Sequence, residues 1–389
     1  MSGFAREIAV VRDGVATPFT GNDPATGTFR GCLYTAEGER LALSQRPGGA
    51  AAYRFSPGDP DRIDPESLAA APRLAGRTLY LGHYLAHYGH FLTETLSSFW
   101  ILGREPAAAF DRVAFHPAGF GRRLTAYARA CLAAFDIDPD RVLMLDPEGM
   151  GGGAPAVRFE EVVVPERLFR LWDAADPLLA EVYARIRDRM LAGRAPLPPR
   201  ALYITRRASY WRSTRRIVAN EVRVEALFRR RGFLAIDPAG MAFADQLALY
   251  AAAPTIAGLS GSALHNSLFQ RPGARLIEIE HPSVYRDALP VRTQDLCNAV
   301  AGVAGSFVPF TGARRHGGAV LHVDLPALEA ALEAALPPTA TAPEPAGRRL
   351  AAALETRALD LLPPVRAAAG RARAGARQAA ALLVGMLGA

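Results

Sequence analysis

The stretch HYLAHYGHFLTETL, residues 83–96, holds three of the chain's eight histidines. Wound as one helix, His83, His87, His90 and Glu94 would share a narrow stripe, because each residue turns about 100°. Histidines four apart on a helix can bind zinc. A His–Glu pair four apart can instead accept a proton from a reacting hydroxyl, or simply fix a helix face. Gly89 sits between His87 and His90 and interrupts a continuous helix. His90 and Glu94 therefore stand as the catalytic candidates, with no metal assigned.

A second segment, TIAGLSGSALHNSLF (255–269), reads as a strand, a small-residue loop and a helix. Gly258 and Gly261 would let a ligand approach the backbone. A helix start offers unpaired N–H groups and the positive end of a dipole, which suits phosphate. Ser262 would cap that helix and Asn266 lie one turn further on, and a plain N-cap is the bland alternative. Neither GxGxxG nor a Walker lysine is present, so dinucleotide and P-loop readings are weak.

A third segment, YITRRASYWRSTRRIVANE (203–221), runs from a strand through Arg206, Arg207, Arg212, Arg215 and Arg216 to Asn220 and Glu221 at a helix start. Guanidinium forks match phosphate oxygens, and ligands of open α/β sheets lie at the carboxyl ends of strands. The alternatives are a solvated loop for the arginines and an N-cap role for Asn220.

The elements that must position these residues alternate. RTLYL, DRVAFHP, RVLMLDP and FEEVVVP read as strands, and LAHYGHFLTETLSSFWIL, GRRLTAYARACLAAF and DPLLAEVYARIRDRML as helices. AGRAPLPPR (192–200) is a Pro/Gly hinge. Beyond it come the strands ALYIT, FLAID, TIAGL and ARLIEIE and the helices NEVRVEALFRRRG, AFADQLALYAAA and SALHNSLFQRPG. Such a series predicts a doubly wound α/β unit. The expected division is a first domain over 1–192, a second domain of the nucleotide-binding type over 200–324 and a tail over 325–389, with one cleft between the domains. In that tail PALEAALEAAL reads as a helix, PPTATAPEPAG as a linker, and 347–389 as a basic helix with an apolar end.

Composition narrows the classes. The formal charge is +7, and all 45 basic residues are arginine, as in GC-rich bacterial coding. Residues 348–389 carry a net +5, which leaves about +2 for the rest. A nearly neutral body argues against nucleic-acid binding. The tail instead suits an anionic membrane surface. Three scattered cysteines with no CxxC indicate neither a zinc knuckle nor a disulfide framework and fit a reducing compartment. The first residues do not read as a signal peptide, and no long apolar run appears. A cytoplasmic protein, peripheral at the inner membrane, is expected.

Three blocks resemble glycosyltransferase family 61, which includes bacterial capsule and exopolysaccharide biosynthesis proteins and eukaryotic xylosyl- and N-acetylglucosaminyltransferases. They are HYGHFLTETLSSFW, then YITRR with RIVANEVRVEALFRRRGF, then FADQLALYAAAPTIAGLSGSALHNSLFQRPGARLIEIEHP. The resemblance implies a GT-B fold of two Rossmann-like domains with a nucleotide-sugar in the C-terminal one. It also implies donor contacts at Arg206 or Arg207, Arg216, Asn220, Glu221, Gly261, Ser262, Asn266 and Glu278, the last where a ribose hydroxyl would bind. Family members commonly carry His before the Gly-Ser pair, where this chain has Ser260, which can still hydrogen-bond a phosphate. His265 is the nearby substitute. The expected activity is transfer of a hexosyl or pentosyl group, with inversion, from a nucleoside-diphosphate sugar to a polysaccharide or lipid-linked glycan, without further cofactor. The rival readings are a non-catalytic nucleotide- or glycan-binding relative and a metal-dependent hydrolase built on the histidine segment.

Overall fold

The computed structural model describes residues 3–23, 28–45, 56–57, 59–64, 66, 71–118, 123–150, 156–207, 217–284, 291–316 and 320–336. In the first half a seven-stranded sheet is built around Arg73–Leu85. The parallel neighbours of this strand are Val157–Pro165 on one side and Arg112–Ala118 on the other, followed by Val142–Met144. Ile8–Arg12 and Val15–Ala16 pair antiparallel with Val157–Pro165. The first half is thus a mixed sheet, where a wholly parallel unit was expected.

Side-chain alternation explains its two faces. Leu79, Leu81, Val113 and Phe115 point into one core with the helical segments, while Tyr80, Ala114, Phe159 and Val162 point into another. That second core is closed by Leu33, Leu41 and Leu43 of the N-terminal segment. The glycine- and proline-rich start of the chain therefore occupies the position a second helical layer would take.

The second half contains a five-stranded parallel sheet in the spatial order Leu234–Ile236, Leu202–Ile204, Thr255–Leu259, Arg275–Ile279, Ala304–Val308. In chain order this is 2-1-3-4-5, the doubly wound order expected from the strand and helix pattern. Helix Glu221–Arg230 ends at Gly232, whose φ of +83° suits a residue without Cβ. Helix Leu325–Ala335, starting at the Asp324 cap, packs Leu328 and Leu332 into this half's core. The segment from 337 onward, including the basic tail, lies outside the described residues.

Helix Leu179–Leu191 joins the halves. Leu179, Val182, Tyr183 and Ile186 form its buried stripe at helical spacing. Tyr183 donates to the Leu92 carbonyl at 2.7 Å and meets the Phe269 ring edge-on at 5.7 Å between centroids. One apolar cluster accordingly runs from Leu79, Phe99 and Phe115 to Leu247, Leu268, Phe269 and Val300. The Pro/Gly segment after this helix is exposed and without regular secondary structure, and the shared core links the halves by packing as well as by chain.

Two expected helices form differently. The histidine segment is not one helix. His83 ends in the strand Arg73–Leu85, and His87 is extended at φ −74°, ψ 122°. A short turn Tyr88–His90 then leads into a π-helical turn Phe91–Thr95 and a 3₁₀ run Leu96–Gly103. SALHNSLF forms only a 3₁₀ run, Leu264–Phe269, and Ser262 does not cap it. A run this short sums few peptide dipoles, so the anion-binding role assigned to that helix start loses its physical basis.

Candidate active site

The two sheets meet at their switch points. In the first, strands progress from Arg73–Leu85 toward Val142–Met144 and then return to Val157–Pro165 on the opposite side. In the second, the reversal lies between Leu202–Ile204 and Thr255–Leu259. Crevices outside the carboxyl ends of strands at such reversals are where open α/β sheets bind ligands. The chain leaving Leu85 carries His87, Tyr88 and His90, and the chain after Pro165 carries Trp172. The chain leaving Ile204 carries Arg206, and that leaving Leu259 carries Gly261, Ser262, His265 and Asn266. These residues line two cavities, of about 480 Å³ and about 200 Å³.

The larger cavity is bordered by Tyr88, Tyr127, Arg206, Asp237, Phe243, Gln246 and Asn266. It combines aromatic walls with a guanidinium, a carboxylate and amides, the mixture of apolar surface and a few polar groups expected of a small-molecule site. Asn266 is fully buried. Its Oδ1 accepts a hydrogen bond from the Tyr88 hydroxyl, whose pKa burial pushes well up, so it stays a donor. Asn266 Nδ2 is buried beside the Tyr250 hydroxyl, without a partner in full hydrogen-bonding geometry.

The smaller cavity lies between the halves, with His87, Gly89, His90, Thr93 and Trp172 on one side and Gly261, Ser262 and His265 on the other. Gly89 allows this approach. A Cβ there would stand 2.6 Å from Ser262 Oγ and 3.2 Å from His265 Cδ2. His90 Nδ1 is 2.5 Å from Glu94 Oε2, and Glu94 is 7 % exposed. The carboxylate accepts the Nδ1 proton, so Nε2 is the basic atom of the half-exposed imidazole. The π-helical turn begins directly after His90 and carries Glu94.

The remaining candidates are distributed differently. Arg206 borders the larger cavity, with Nη1 3.9 Å from the Cβ position of Gly261. Arg207 turns away and pairs with Glu225 at 2.9 Å. Glu221, fully buried, accepts from the Arg206 N–H at 3.1 Å and from the Tyr203 hydroxyl at 3.2 Å, so it fixes the loop that carries Arg206. Asn220 exchanges hydrogen bonds with the Val323 backbone at 2.8 and 2.9 Å and straps the helix start to a strand. Ser260 is fully buried. Its hydroxyl donates to the Ile279 carbonyl and accepts from the His281 N–H, both at 3.2 Å. Glu278 is buried in its strand near the Cys297 thiol, whose pKa is pushed up by burial first and by this carboxylate second. Neither cavity is lined by Asn220, Glu221, Ser260 or Glu278. Arg216, with Arg212 and Arg215, lies outside the described residues. Tyr88, Trp172 and Phe243 escaped the sequence reading. Tyr88 had a signal, since it stands beside Gly89 in the histidine stretch, but aromatic residues at ordinary core spacing give none.

Among the described residues, no group of three or more His, Cys, Asp or Glu is placed to hold a metal ion. Likewise, no described helix is long and apolar enough to cross a membrane.

The family model described as Glycosyltransferase 61 matches residues 88–277. The match begins at Tyr88 and takes in the His90–Glu94 pair, Arg206 and the 260–266 loop. It covers just under half of the chain and supports a glycosyltransferase of family 61. No curated protein matches the chain.

Proposed function

We propose that this chain is a GT-B-type glycosyltransferase that moves a hexosyl or pentosyl group, with inversion, from a nucleoside-diphosphate sugar to a glycan or lipid-linked acceptor. The observation that carries the reading is the convergence of Arg206 and Asn266, from one sheet's switch point, with His90–Glu94, from the other's. In this reading the larger cavity holds the nucleoside diphosphate, with Arg206 and the Asn266 amide on its phosphates and the Tyr127 and Phe243 rings beside the base. The acceptor hydroxyl attacks the anomeric carbon from the smaller cavity and gives its proton to His90 Nε2. The bond from that carbon to the phosphate oxygen breaks, and the departing diphosphate takes the negative charge, which Arg206 stabilises. No cofactor beyond the sugar nucleotide enters this scheme.

In a chain of this kind the acceptor is a growing capsular or extracellular polysaccharide or its lipid-linked precursor. The place of action is the cytoplasmic face of a bacterial membrane, reached through the basic tail. The division at 192–200 separates acceptor and donor sides. A thermal-shift screen of nucleoside-diphosphate sugars, followed by turnover with the donor that binds, tests the reading. Stabilisation by no sugar nucleotide would end it. The Ser260 hydroxyl, committed to the backbone, favours a second reading in which the chain binds a sugar nucleotide without turning it over. Donor binding with no product in any acceptor mixture would select that one.

A further inference from the structure

Three imidazoles border the smaller cavity, those of His87, His90 and His265, and the Nδ1 partners of the last two differ. His90 faces the Glu94 carboxylate. His265 faces the side-chain amide oxygen of Gln294, 2.9 Å away. That amide is held in one orientation, because its NH₂ group donates to Ser267 Oγ and to Asn298 Oδ1, both at 2.9 Å. An amide oxygen only accepts, so the His265 proton sits on Nδ1 and Nε2 carries a lone pair. The edge of the ring holding Cδ2, the neighbour of Nε2, is the edge turned toward Gly89 and the first half.

The two partners have different chemical consequences. A carboxylate stabilises an imidazolium, and a neutral amide does so far less. Burial lowers the His265 pKa to about 4, with His90 and His87 adding repulsion against the partial support of Gln294. His265 is therefore neutral at neutral pH, and its Nε2 is an acceptor of fixed direction. Across the same cavity stands Trp172, whose φ of +59° is uncommon for a bulky side chain. Its indole, partly buried against the core, puts an aromatic ring at the cavity wall, the kind of surface on which the C–H side of a sugar ring packs.

We propose that His265 reads a hydroxyl of the acceptor sugar: Nε2 accepts its hydrogen bond while the sugar ring lies against Trp172, and Gln294 is the positioning residue that keeps Nε2 bare. The identity of the ligand as a sugar rests on the glycosyltransferase reading, and the tautomer does not.

The test is ¹⁵N-imidazole NMR on the full-length chain, titrated with methyl glycosides of xylose, glucose, galactose and N-acetylglucosamine. His265 is expected to show protonated Nδ1 and bare Nε2 at neutral pH, and at least one glycoside should shift the Nε2 resonance. In Gln294→Leu the proton is released to Nε2, and that glycoside should bind roughly three- to tenfold more weakly although the imidazole remains, the range for one neutral hydrogen bond. Gln294→Glu still accepts from Nδ1–H, but its charge stabilises the imidazolium, so in this variant glycoside affinity should fall at a higher pH than in the wild type as Nε2 takes a proton. A purely structural Gln294 would lower stability in both variants and leave the tautomer where it was. The proposal is overturned by a wild-type ring protonated on Nε2, by a resonance that none of the four glycosides moves, or by full affinity in a Gln294→Leu variant whose tautomer has changed. Failure of the glycosyltransferase reading would appear separately, as absence of donor binding and turnover.

Discussion

The Glu94 carboxylate does two things that one substitution can separate. It accepts the Nδ1 proton of His90, and in the proposed mechanism its charge would stabilise the imidazolium formed as the acceptor's proton arrives. Glu94→Gln keeps the shape and a possible hydrogen bond but removes the charge. Turnover is expected to fall about 100-fold or more with donor affinity unchanged. Normal turnover in a folded variant would leave the pair a structural one. On the donor side, Asn266→Ala and Arg206→Ala should each weaken binding of the nucleoside diphosphate roughly ten- to a hundredfold, the range for one lost charge-assisted contact. Calorimetry measures this directly, and undiminished affinity in both variants would remove the larger cavity from the reading. At this scale, what the sequence could reveal depended on where each partner lies. His90 and Glu94 are four apart, so their contact was legible locally. Asn220 spends its amide on Val323, and Ser260 its hydroxyl on Ile279 and His281. Nothing local announces such partners.

Among the elements, the turn at Tyr88–His90 is closely approached by a neighbour from the other half. Gly89→Ala would push a methyl group against Ser262 Oγ at 2.6 Å and Ser262 Cβ at 3.0 Å. A rotation of the hydroxyl relieves the first contact and not the second. A loss of about 1–3 kcal/mol is expected in denaturant unfolding. Gly240, with nothing within 4 Å of its Cβ position, is the control, and Gly240→Ala should stay within about 0.5 kcal/mol. Equal effects at the two positions would mean that the halves approach less closely at Gly89. The strands of the C-terminal sheet were readable because each is a short apolar run closed by turn residues. The π-helical turn at Phe91–Thr95 was not, because it uses the same residue types as an α-helix and differs only in which carbonyl each N–H finds. The 3₁₀ run at Leu264–Phe269 was likewise hidden behind a helix-like pattern.

For the whole molecule, the shared apolar cluster predicts cooperative behaviour. Tyr183, Leu268 and Phe269 are buried in the same core although the exposed 192–200 segment lies between them in sequence. Calorimetric unfolding should show a single transition. Two resolved transitions, with one assignable to a fragment covering 200–336, would mean that the halves fold separately. The basic tail calls for a different measurement. The full chain should sediment with anionic vesicles at low salt and release as salt rises, while a chain ending at Pro345 stays in solution. Identical behaviour of the two would leave the tail without a membrane role. The composition of the tail was plain in the sequence. The continuity of the core was not, because a Pro/Gly-rich linker looks the same whether the units it joins swing freely or pack together.

Helix Leu179–Leu191 has a consequence for anyone recombining this protein with a relative. By position it belongs to the first half, yet its inner stripe is finished by side chains of the second. A chimera cut at the linker would pair this helix with a foreign surface and leave Tyr183 facing a mismatched seat. A cut ahead of the helix, near Asp176, would break the other side of the same seat, where Tyr183 meets the Leu92 carbonyl and Arg185 the Leu102 and Ala134 carbonyls, so neither border leaves the helix with all its contacts.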